Sequence, residues 1–200
     1  MNFAPEEEPT PRIEPLEPEK VADRLPELSS AEGYLEERVA EIPDEYIAPY
    51  QDKDDWESIA PYAGHHPYFL EHLYQGDIEI YTTGRIDERL SQLIAMLISQ
   101  PNECIRCIPI HAGAAIHAGA TKEETDIIRN FEQRKDELPE NERNVLEFSL
   151  KAAENPETVM DEDVEKLRQV GYNDEEIVEI AAIALHAYQF SAFNSIFNLK

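Results

Sequence analysis

Arg85–Ser99 constrains the fold most. Ile86, Leu90, Leu93, Ile94, Leu97 and Ile98 recur there at spacings of three and four. That period puts one apolar stripe on a helix and cannot describe the alternating faces of a strand. Helix punctuation repeats along the chain. Pro67 after His65 and His66 suits a first helical position, and Pro101 ends the Arg85–Ser99 helix. Asn102 can cap a helix over 103–119. Thr121 with Glu124, and Asn173 with Glu176, read as capping boxes. Pro139 opens a helix to about 154. Asp161 opens one that stops at Gly171, and the last runs to about Phe197. Short helices are expected over 21–28 and 30–41, a loop over 42–53, and helical pieces at Trp56–Tyr62 and Pro67–Tyr74. Ile78–Thr83 is the one strand-like piece. The expected class is all-α.

The chain has 200 residues, and 43 acids against 17 Lys and Arg leave a formal charge of −26. Such a surface repels phosphate backbones and anionic membranes, so nucleic-acid and membrane partners are not expected. No uninterrupted apolar run has the length of a bilayer span, and the N-terminus lacks the basic and apolar regions of a secretory signal. The expected location is cytoplasmic. Pro5, Pro9, Pro11, Pro15 and Pro18 break the start of the chain. We read 1–20 as an extended acidic arm or solvated tail and 21–200 as a single all-α domain.

Both cysteines lie in Cys104-Ile105-Arg106-Cys107-Ile108-Pro109-Ile110-His111. On a helix, Cys104, Cys107 and His111 fall within about 60° of one face. The sulfurs can meet, the imidazole can take or hold a thiol proton, and a helix N-terminus near Cys104 favours a thiolate. Plain core cysteines are one alternative. Structural zinc is another, but it needs a fourth ligand and usually two ligand pairs, and the chain has one pair. Thiol redox chemistry fits the pattern better and requires no metal or organic cofactor. Pro109 is expected to remove a hydrogen bond and kink the helix. His117 falls on another face of that helix. His65 and His66 are expected to cap or flank a helix, and His186 and Tyr188 to pack in the core or at a subunit contact.

The motif resembles the Glu-x11-Cys-x-x-Cys-x-x-x-His signature of the carboxymuconolactone decarboxylase superfamily, in its alkylhydroperoxidase D (AhpD)-like, peroxidase-related branch. The opening Pro11–Pro18, the run His66–Leu70 and the C-terminal Glu175–Ile180 with Phe193-Asn194 resemble that branch as well. The resemblance implies an AhpD-like helical bundle assembled as a dimer, trimer or hexamer. It implies reduction of alkyl hydroperoxides, with Cys107 attacking the peroxide, Cys104 resolving and His111 relaying a proton. A lipoyl or thioredoxin-type dithiol protein would be the reductant. The family glutamate falls at Gln92, which cannot accept a proton. Glu88, one turn earlier, and Glu103, beside Cys104, are candidate replacements, and Arg106 is a cation able to lower a thiol pKa. The rival reading is a non-catalytic, redox-responsive or scaffold protein that kept the dithiol and lost the relay. Lactone decarboxylation fits less well, because that branch does not depend on a Cys-x-x-Cys pair.

Overall fold

The computed structural model describes residues 11–17, 20 and 59–199. The helices expected over 21–28 and 30–41, the loop 42–53 and Trp56 lie outside these residues. The described residues form helices and no strand. They run α1 (Ala60–Ala63), α2 (Pro67–Thr82), α3 (Glu88–Ser99), α4 (Cys107–His117), α5 (Lys122–Arg129), α6 (Phe131–Arg134), α7 (Glu140–Glu154), α8 (Asp161–Gln169) and α9 (Asp174–Phe197). Single 3-10 turns follow α6 and α7.

Capping chemistry sets most of the starts. His66 Nδ1 accepts the Phe69 amide at 3.2 Å, with Pro67 in the first turn of α2. Asp87 accepts the Leu90 amide at 3.0 Å and starts α3 two to three residues later than the apolar spacing suggests. Both expected capping boxes are formed, at Thr121/Glu124 and Asn173/Glu176. Gly171 follows α8 with φ +109°, a conformation glycine adopts without a Cβ penalty. The strand expected at Ile78–Thr83 is instead the last turn of α2. Leu70, Leu73, Asp77 and Tyr81 keep a helical spacing of buried positions through it, and this tertiary face overrides the local β preference of a short run.

α3 is the central helix, with every residue from Leu90 to Ser99 buried. It packs against α4, α7 and α9. Arg89 ties it down by ion pairs to Glu124 of α5 and Glu142 of α7. α9 is long and apolar enough to cross a membrane by length and composition. Its Ile177, Ile180, Ile183, Ala184 and Ala187 are nonetheless buried in the main core. A second apolar cluster joins α1 and α2 to the end of α9, and Ile13 and Leu16 pack onto it. There Arg12 donates its backbone amide to Phe197 O at 2.9 Å and its guanidinium to Ile196 O at 2.7 Å. The cation satisfies carbonyls that the helix end leaves free and complements its negative pole.

Candidate active site

The dithiol sits at the junction of α3 and α4, and that junction departs from expectation. The helix begins at Cys107, not near 103. Asn102 is not its cap: its Nδ2 donates to Ser191 Oγ at 2.8 Å, and its carbonyl accepts the Ser195 hydroxyl, both on α9. The chain reverses through Glu103 at φ +50°, with Glu103 N bonded to Gln100 O at 2.9 Å and Cys104 N to Ser99 O at 3.1 Å. This paired 5→2 and 6→1 pattern is a Schellman turn, and it pins the Cys104 backbone. Cys104 then acts as the cap itself. Its Sγ accepts the Cys107 amide at 3.2 Å, and its carbonyl accepts the Ile108 amide at 3.2 Å. The turn therefore brings Cys104 to Cys107, and a shared helix face does not.

The two cysteines are joined as a disulfide, with Cα atoms 5.3 Å apart. Both are buried, at 3% and 4% exposure. Pro109 is the third residue of α4; Ile108 bonds Cys104 O and Ile110 bonds Arg106 O on either side of it, so the bond a proline cannot make is the one to Ile105 O, in the first turn. Asn194 of α9, 1% exposed, has its Nδ2 3.8 Å from Cys107 Sγ while donating to Phe190 O at 2.9 Å.

His111 lies one turn beyond Cys107 on α4, half-buried. Its Nδ1 is 2.8 Å from Gln92 Oε1, and Gln92 is 2% exposed on α3. An amide oxygen can only accept, so this bond places the hydrogen on Nδ1 and leaves Nε2 as the basic nitrogen. Gln92 therefore orients the imidazole without being able to take its proton. Glu88 opens the first turn of α3 and is half-buried. It is not the Nδ1 partner, because Gln92 occupies that edge. Glu103 is exposed on the left-handed turn while the dithiol beside it is buried. Arg106 precedes α4 without making a side-chain cap. His117 is exposed at the far end of α4, and His65 bonds Glu14 O at 2.9 Å through Nε2. Among the described residues, no group of three or more His, Cys, Asp or Glu is arranged to hold a metal.

Three neighbours had no distinguishing signal in the sequence. Tyr81 of α2 lies 5.7 Å from the His111 ring, centroid to centroid, and 6.1 Å from the His186 ring. His186 is buried in the core, as expected, and Tyr188 is partly exposed. Asp77, one turn before Tyr81, is buried against His186. Asp77 and Tyr81 sit one turn apart on α2, but His186 is more than a hundred residues from either, so no local spacing links the three. Only the packing of α2 on α9 brings them together.

Residues 66–133 match the carboxymuconolactone decarboxylase family. Comparison with curated proteins finds no match. Among solved structures, the debrominase Bmp8 in complex with 2,3,4-tribromopyrrole superposes with a TM-score of 0.68 at 19% identity, over 96% of this chain and 91% of that one. An uncharacterized peroxidase-related protein from Ralstonia eutropha JMP134, with an alkylhydroperoxidase AhpD core, gives 0.64 at 21% identity over 81% and 87%. The putative antioxidant defence protein AhpD from Agrobacterium tumefaciens gives 0.61 at 21% identity over 70% and 94%. These likenesses establish the fold. The segment that holds the dithiol is similar to the carboxymuconolactone decarboxylase family, and the chain has the fold of these AhpD-like structures.

Proposed function

We propose that the chain is a thiol-dependent peroxidase that reduces alkyl hydroperoxides with its own dithiol. Starting from two thiols, His111 Nε2 takes the Cys107 proton, and the thiolate attacks the distal peroxide oxygen. The O–O bond breaks, Cys107 becomes a sulfenic acid, and the alkoxide leaves with the proton returned from His111. The Cys104 thiol then displaces water from the sulfenic acid and closes the disulfide. A lipoyl or thioredoxin-type dithiol protein reopens it by exchange. No metal or organic cofactor enters the balance. The observation that carries this reading is the Cys104–Cys107 bridge at the start of α4, one turn before an imidazole whose tautomer is fixed by Gln92.

The same two-electron dithiol would also serve reductive debromination. Bmp8, which covers 96% of this chain, keeps that second reading open. Assembly into a dimer, trimer or hexamer is part of the proposal. Val178, Ala182, Leu185, Gln189, Ala192 and Ile196 recur on α9 at alternating spacings of four and three, and Val178, Leu185 and Ile196 are exposed. Against a second antiparallel copy of α9, this seam sets large residues opposite large at its ends and alanine opposite alanine between them. A cytoplasmic setting, which keeps the dithiol reducible, completes the reading.

The test is turnover. Reduced protein is mixed with cumene hydroperoxide or tert-butyl hydroperoxide and a lipoyl reductant, and product alcohol is counted. Many turnovers support the reading. A single oxidation to the disulfide without turnover favours the redox-responsive alternative. Turnover only with bromopyrroles favours debromination.

A further inference from the structure

We infer that Asn194 of α9 is the residue that holds Cys107 as the thiolate. The inference rests on the dithiol reading above and deepens it, by naming a group that decides which of two adjacent sulfurs attacks.

The backbone alone does not favour Cys107. Cys104 Sγ accepts the Cys107 amide at 3.2 Å and lies just before the first turn of α4, so the helix start favours a thiolate on Cys104. A choice of Cys107 needs a donor of its own, and Asn194 places one there. Its Nδ2 is hydrogen-bonded to Cys107 Sγ at 3.8 Å and to Phe190 O at 2.9 Å. Nδ2 carries two hydrogens, one for each acceptor. The Phe190 carbonyl also fixes the orientation of the amide, since a flipped Asn194 would set oxygen against oxygen.

Packing does not account for this side chain. Asn194 is 1% exposed, and its Oδ1 is buried with no hydrogen-bond partner. An aliphatic residue would fill the same place without stranding an acceptor. The disulfide also leaves the Nδ2 bond to Cys107 weak, because neutral sulfur is a poor acceptor. A thiolate is a strong one, and the same contact then becomes charge-assisted. The interaction is made in full only when Cys107 is reduced and deprotonated, which is the state that attacks.

The amide is aimed in advance. Ser191 and Ser195 flank Asn194 on α9, and both bond Asn102: Ser191 Oγ accepts its Nδ2 at 2.8 Å, and the Ser195 hydroxyl donates to its carbonyl. Asn102 lies two residues before Cys104, so α9 is fastened to the turn that carries the dithiol from both sides of the donor. The titratable and charged groups around Cys107 are Cys104 across the bridge, Arg106 before it and His111 one turn on. α3 reaches this site with Gln92 and α9 with Asn194, neither of them charged. No bond forms or breaks at Asn194. His111 still takes the thiol proton, and Asn194 stabilises the sulfur that the proton leaves.

The experiment uses the full-length chain as C104S, in which Cys107 is the single thiol and titrates alone. Serine keeps an acceptor at the cap position. The iodoacetamide alkylation rate is followed across the pH range of thiol ionisation. In C104S/N194A the midpoint of that curve is expected about one pH unit higher, the effect of losing one hydrogen bond to a charged group. Cys104 is the control: C107S and C107S/N194A should share one midpoint. An unchanged Cys107 midpoint overturns the inference. So does an equal rise on both cysteines, since a loosened junction of α9 with the turn would give that. Should N194A fail to fold, N194V fills more of the space without a donor, and the same selective rise is required of it. One measurement leaves residue 194 intact: in isotope-labelled C104S followed by NMR, the Asn194 side-chain amide resonance is expected to move with the Cys107 midpoint, and an amide indifferent to that ionisation overturns the inference. Peroxide turnover by the wild type is read separately: its absence removes the peroxidase reading and leaves the midpoint test standing.

Discussion

Replacing Arg89 with methionine should destabilise the protein without touching the dithiol. Arg89 side-chain exposure is 20%, and its partners Glu124 and Glu142 are at 24% and 14%. Burial works against the cation, but the hydrogen bond and charge of Glu142, with the charge of Glu124, outweigh it and hold the guanidinium above its usual range. Methionine keeps most of the volume and leaves two carboxylates facing each other. Breaking a fully buried pair costs about 3–5 kcal/mol, and exposed pairs are worth about 0–1 kcal/mol. With roughly a fifth of the cluster still wet, the expected loss is about 2–3 kcal/mol. For a chain of this size that corresponds to a fall in Tm of about 5–10 °C. Differential scanning calorimetry at pH 7 reads it directly. Arg89→Met with Glu142→Gln should recover about half the loss, because only one carboxylate then remains unpaired. A fall below about 2 °C, or no recovery in the double variant, would refute the claim that this ion cluster fastens α3 to α5 and α7.

Four further outcomes are expected. Lys151 and the Met160 amide hold the Asp163 carboxyl below its usual range. Its contribution is complete above the unfolded-state pKa and is lost as pH falls through the folded one, so Asp163→Asn should flatten the acid limb of a Tm-against-pH curve. After one equivalent of hydroperoxide, dimedone should label Cys107 in Cys104→Ser, whereas Cys107→Ser should give no comparable label on Cys104. Leu185→Glu, placed on the exposed seam of α9, should lower the mass measured by light scattering; an unchanged mass would move the assembly surface elsewhere. Glu103→Gly should raise stability by about 0.5–1 kcal/mol in chemical denaturation, because a side chain is strained at φ +50° and glycine is not.

The helices were legible wherever period and punctuation agreed. The capping boxes at Thr121 and Asn173 and the stripe along Arg85–Ser99 are local signals, and the folded chain uses them as written. The junction at 102–107 was not legible. Asn102 has the chemistry of a cap, but its side chain is claimed by Ser191, 89 positions away. The resemblance aligned Gln92 with the family glutamate, and its 2.8 Å contact with His111 is a distance the linear spacing does not carry. Asp77, Tyr81 and His186 stayed hidden for a different reason. Each is a common residue on an apolar helix face, and what distinguishes them is burial and mutual distance, neither of which a linear pattern carries.

Pro109 leaves its mark between the two cysteines. The carbonyl four residues before it belongs to Ile105, and a proline has no amide to offer it. The start of α4 is held instead by Cys104, whose Sγ and carbonyl accept the Cys107 and Ile108 amides. The carbonyl bond does not depend on the state of the sulfurs, so it would keep Cys104 one turn from Cys107 in the reduced chain as well.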